Sequence, residues 1–80
     1  MGKQAQNLVA EAGRLLFGER WMSDLARELG VAVRTMQSWF ASPNSSSYRD
    51  MPSSVVGEVR VLVERRRSAL EEWVAKVKEP

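Results

Sequence analysis

Between positions 34 and 38 the chain sets Arg34, Thr35, Gln37 and Ser38 around one methionine, with no carboxylate among them. The chemistry open to such a set is recognition of base edges: arginine matches the O6 and N7 of guanine, and glutamine the N6 and N7 of adenine. Arg34 and Gln37 are the first candidates for base contact and Ser38 the next. Thr35, Ser42, Asn44, Tyr48 and Arg49 carry the hydroxyl, amide and guanidinium groups that commonly hold the phosphate backbone of double-stranded DNA. Ser23, near a helix start, offers a hydroxyl beside free amides to the same backbone, or acts as a cap. From Ala32 to Arg49 the chain has two arginines and no acid, so nothing in that span repels phosphate, although the whole chain is only +2. The chain has no histidine and no cysteine, which excludes zinc fingers, disulfides and most general-base chemistry. No enzyme activity, cofactor, metal or small-molecule ligand is expected.

Two short helices must position these groups. Leu25, Ala26 and Leu29 fall on one side of a first helix beginning near Met22, at the spacing of a 3.6-residue period. Gly30 follows, where glycine can take the positive φ that stops a helix, and Val31 is the apolar plug beyond the stop. From about Val33, Met36, Trp39 and Phe40 repeat the helical spacing and define an inner side. At about 100° per residue, Arg34 and Ser38 point away from Met36, with Thr35 and Gln37 on the flanks.

Leu25 with Ala26, Leu29 with Gly30 and Val31, Arg34 with Thr35 and Met36, and Trp39 together resemble the helix-turn-helix domains of small phage and bacterial repressors of the Cro-like kind. The resemblance covers roughly 18–52. It implies a small residue at Ala26 for close helix crossing, a turn at Gly30, and Val31, Met36 and Trp39 as the residues that lock the second helix down. It also implies repression by blocking a promoter in the cytoplasm of a bacterial host. Two positions depart from the family pattern: Ala32 stands where Ser or Thr often caps the second helix, and Met22 where a polar residue often opens the first.

Eighty residues with 44% apolar composition define a single all-α domain, near the size at which one core is only marginally sufficient and association helps. No apolar run approaches the roughly 18 residues needed to span a membrane. Ahead of the motif, Ala5, Leu8, Val9, Ala12, Leu15 and Leu16 form an apolar stripe on a helix over about 4–17, with Gln6, Asn7, Glu11 and Arg14 on its solvated face and Gly18 ending it. Trp21 is expected to pack over the joint between helices. Beyond the motif, 42–52 is rich in turn formers and reads either as a phosphate-binding loop or as a serine linker.

Ser53 as cap opens a long helix running to about Lys78, roughly 38 Å at 1.5 Å per residue. Val55, Val56, Val59, Leu62 and Val63 suit the closing of a core, whereas Leu70, Trp73, Val74 and Val77 lie beyond it. Val56, Val63, Leu70 and Val77 fall at one heptad position and Val59, Arg66 and Trp73 at the other, so Arg66 interrupts a regular coiled coil. The far residues therefore form a short homodimer contact or fold back on the first helix. Arg65, Arg66 and Arg67 read as a solvated face paired along the helix with Glu64, Glu71 and Glu72, or less directly as a backbone contact.

The leading expectation is a sequence-specific DNA-binding regulator that reads an inverted repeat as a dimer. The alternatives are a helical protein-interaction module, such as an adaptor or antitoxin, and a DNA-architectural or packaging protein without strong sequence choice.

Overall fold

The computed structural model describes residues 3–77, which form four helices: α1 (Lys3–Phe17), α2 (Trp21–Leu29), α3 (Val33–Phe40) and α4 (Ser54–Lys76). The fold is all-α. α1 packs against α2 and α4, and α2 packs against α3. Leu25 and Met36 are fully enclosed, with Ala5, Val9, Ala26, Trp39, Val55 and Val59 around them.

Trp21 is the first residue of α2 rather than a joint residue ahead of it, and it is buried at 8% exposure. Its ring meets Phe40 edge to face, centroids 5.4 Å apart at 76°, the geometry that aromatic quadrupoles favour. The ring also lies on Gly13, where an added Cβ would stand 2.7 Å from the indole Cδ2. Glycine inside a helix ordinarily costs ~1 kcal/mol relative to alanine. Here the missing side chain is the seat of the tryptophan. Gly13→Ala is therefore expected to destabilise, because overpacking of ~1 to 3 kcal/mol exceeds the propensity gain; urea denaturation should show a lower midpoint, and a raised one would mean that the ring moves aside at little cost.

Gly30 closes α2 as the sequence predicts. It sits at φ 74° and ψ 27°; its amide donates to the Arg27 carbonyl at 3.2 Å and the Val31 amide to that of Ala26 at 3.0 Å. This paired closure satisfies carbonyls that the helix leaves open, and only a residue tolerant of positive φ fits it. Val31 packs against the core as its plug.

The stripe on α1 is narrower than its periodicity implies. Leu8 is 47% exposed and Leu15 77%, because both lie about 100° or more round the helix from Val9; Leu8 borders an open groove with Val56, Val59 and Val63 of α4, and Leu15 lies outside it. Gln6, read as solvated, instead donates from its side-chain amide to the Trp39 carbonyl. Met51, inside the stretch read as polar loop, is buried and closes the core from below α4.

α4 has 23 residues, about 35 Å, and Val77 stands at its C-cap, so the helix stops just short of the expected end. Ser53 occupies the N-cap position without a side-chain hydrogen bond; its own backbone is helical, which keeps the hydroxyl from the amides a cap would serve. Val55 and Val59 are buried, Val56, Leu62 and Val63 half-buried, and every residue from Glu64 to Val77 exposed. The far turns do not fold back on α1. They project, giving a radius of gyration of 15.0 Å and extents of 57 × 21 × 18 Å, against about 11.6 Å for a compact chain of this length.

Candidate nucleic-acid interface

Met36 and Trp39 drive one side of α3 into the core, which turns Arg34, Thr35 and Gln37 fully outward and leaves Ser38 half-exposed. With Ser47 and Arg49 these residues line an open groove of about 450 Å³. The three residues expected to contact bases therefore share one surface, and Thr35 and Arg49 of the expected phosphate set join them. Ser47 was not singled out by sequence; its place in a serine-rich turn gives no signal that would separate it from its neighbours.

The loop after α3 is held to it. The Arg49 amide donates to the Ser38 carbonyl at 3.0 Å, and the Ser38 hydroxyl donates to the Thr35 carbonyl at 2.6 Å. These bonds carry the loop back alongside the helix it leaves. They also engage the Ser38 proton, so toward a base Ser38 offers lone pairs only. Two turns follow one another, the Ser45 amide donating to the Ser42 carbonyl at 2.8 Å and the Tyr48 amide to the Ser45 carbonyl at 3.1 Å. The Ser42 hydroxyl accepts the Asn44 amide at 3.3 Å, and the Ser45 hydroxyl accepts that of Ser47 at 3.2 Å. Local bonds of this kind are what serine and asparagine bring to turns. They fold the segment into two consecutive turns. Ser42 and Asn44 are exposed on it but do not line the groove.

Arg49 folds onto its own loop, donating from Nη1 to the Ser46 carbonyl at 3.2 Å and the Tyr48 carbonyl at 2.8 Å. Those bonds hold an exposed cation in the lining of the groove with donors to spare. Tyr48 does not fit the phosphate role expected of it. Its hydroxyl donates to the Asp50 carboxylate at 2.9 Å, so the proton is engaged, and the acid would repel a phosphate. The acid-free span ends one residue before Asp50. The hydrogen bond to Asp50, with smaller contributions from desolvation and the carboxylate charge, raises the Tyr48 pKa above its ordinary value. This is the only tyrosine, so an alkaline absorbance titration follows it alone. Its midpoint is expected to fall in Asp50→Asn; an unchanged midpoint would mean that the contact does not form in solution.

Neither helix of the motif has a side-chain cap: Arg20 precedes α2, and extended Ala32 precedes α3, each without such a bond. Ser23 lies inside the first turn of α2, exposed, and does not cap it; it is also outside the groove. The first-turn amides of both helices keep the partial positive charge that favours anions, although Asp24 sits in the first turn of α2 and is paired with Arg27 at 3.2 Å.

On α4, Leu70, Trp73, Val74 and Val77 are 58, 62, 63 and 50% exposed, so the single chain leaves all four expected interface residues without a partner. The arginine run is only partly as read. The Arg66 guanidinium stands over the Phe17 ring at 5.9 Å, and the ion pair that forms nearby joins Arg60 to Glu64 at 3.8 Å rather than involving the run.

Comparison with known protein families, with characterised proteins and with solved structures returned no match for this chain.

Proposed function

We propose that this chain is a sequence-specific regulator of transcription that lays α3 in the major groove of double-stranded DNA and binds an inverted repeat as a two-fold dimer. The observation that supports it best is the face of α3, where Arg34, Thr35, Gln37 and Ser38 line one open groove with Arg49 and no carboxylate. A protein-binding helix ordinarily offers aromatic or arginine anchors set in an apolar centre, and the outer side of α3 has no such centre.

In this reading Arg34 and Gln37 meet base edges and Ser38 accepts from a neighbouring base, while Thr35, Arg49, Ser42 and Asn44 fix register on the phosphates. Ser23, exposed on the first turn of α2, adds a phosphate contact outside the groove, and the Tyr48 hydroxyl stays with Asp50. By its resemblance to small repressors the protein acts in the cytoplasm by occupying a promoter. Among the described residues no helix is long and apolar enough to cross a membrane.

Selection from random duplexes, followed by titration at 50 and 200 mM salt, tests the proposal. A palindromic consensus with half-sites about 34 Å apart, or a multiple of that, is the expected result. Salt-sensitive binding without a consensus would leave an architectural protein, and no binding would leave a protein-interaction module.

A further inference from the structure

The exposed end of α4 carries a self-complementary edge. By the 100° step of a helix, Val63, Leu70 and Val74 lie within about 40° of one another, and they line an open apolar groove bordered by Arg67 and Glu71. Both charged residues fall on the same side of it. We propose that this groove receives a second copy of the chain, α4 against α4, running antiparallel about a two-fold axis near Ala69.

Charge decides the direction. In an antiparallel pair each edge faces itself, so Arg67 meets Glu71 of the partner subunit and Glu71 meets Arg67 of the partner subunit. The same register sets Val63 against Val74 of the partner subunit and brings the two Leu70 side chains together at the axis. A parallel pair instead holds equal positions at equal height, which stacks the 65–67 arginines of one chain against those of the other, a like-charge contact that costs affinity. The projecting helix has the reach for this: Glu64 to Val77 are exposed, and although Arg66 lies over Phe17 of α1, the side that carries Val63, Leu70 and Val74 is an open groove. The pairing refines the dimer invoked above, and it adds a dimension. Val59, seated in the core, would lie roughly 30 Å along the pair from Val59 of the partner subunit at 1.5 Å per residue, which sets the two cores apart.

The test is made without DNA, so that its failure is distinguishable from failure of DNA binding. Sedimentation of the full chain should give twice the chain mass, falling to the chain mass in Leu70→Asp with the helical circular dichroism retained. The absence of cysteine allows the direction to be read directly, even if Leu70→Asp fails to fold. Val63→Cys and Val74→Cys chains, mixed and oxidised, should join to each other, while Val63→Cys alone should not, since its two sulfurs would be roughly 17 Å apart along the pair, beyond disulfide reach. A monomeric wild-type chain, or efficient disulfide formation by Val63→Cys alone, overturns the proposal.

Discussion

Trp21→Ala is expected to remove ~3 to 5 kcal/mol of stability, the range for losing a large buried aromatic. For 80 residues the total is only about 4 to 12 kcal/mol, so one substitution removes much of it. The reason is position as much as size. Trp21 touches α1 at Gly13 and the end of α3 at Phe40, so its truncation opens a cavity at the meeting point of three helices, and Gly13 has no side chain to fill it. Thermal unfolding followed by circular dichroism should show a midpoint lower by on the order of 20 °C, at ~4 to 8 °C per kcal/mol for a domain of this size. Trp73 provides the comparison. At 62% exposure, and at a concentration where the chain is monomeric, Trp73→Ala should change stability by less than ~0.5 kcal/mol. Equal losses in the two variants would show that Trp21 is not seated as described.

Arg34→Ala carries the largest expected effect on binding, ~1 to 3 kcal/mol on the selected sequence, or about 5-fold to 150-fold in affinity, with relaxed preference at one base pair. The side chain is exposed and has no protein partner among the described residues, so the variant should keep its fold, and the loss is readable as lost contact. Arg49→Ala should behave differently. It weakens selected and random duplexes alike and flattens the salt dependence by about one unit of slope. Because Arg49 also donates to the Ser46 and Tyr48 carbonyls, its removal loosens the loop, and Arg49→Lys separates charge from loop geometry. Were Arg34→Ala to lose equally on selected and random DNA, Arg34 would be a phosphate contact and the reading face would have to be sought elsewhere.

The parts of the fold that follow a helical period were legible in the sequence. Met36 and Trp39 are buried where their spacing puts them, and Gly30 turns the chain at the residue where the period breaks. Contacts that depend on which neighbour arrives were not. Leu15 has the spacing of a core residue and lies in water, because no helix reaches its side of α1. Nothing in the sequence marks Gly13 as the seat of the Trp21 indole. Met51 is a lone apolar residue in a polar segment, with no period to announce its burial. For the candidate site, the outward residues of α3 could be listed from periodicity alone. The engagement of Tyr48 by Asp50 could not, since two residues apart in a loop can face together or apart depending on the turn.

The bond from Gln6 to the Trp39 carbonyl, with that from the Arg49 amide to the Ser38 carbonyl, fastens α3 at its C-terminal end from two directions. Its opposite end begins at Ala32 with no cap, and eight residues are too few to hold a helix by themselves. The element is therefore held at both ends by different means: by these hydrogen bonds where it leaves the core, and at its start by the packed Val31 side chain, with the Ala32 carbonyl accepting the Met36 amide. Arg34 lies on the first turn, three residues past that plug. Adjustment to the local width of a groove then falls to the exposed Arg34 side chain, while the backbone beneath it stays where the core sets it.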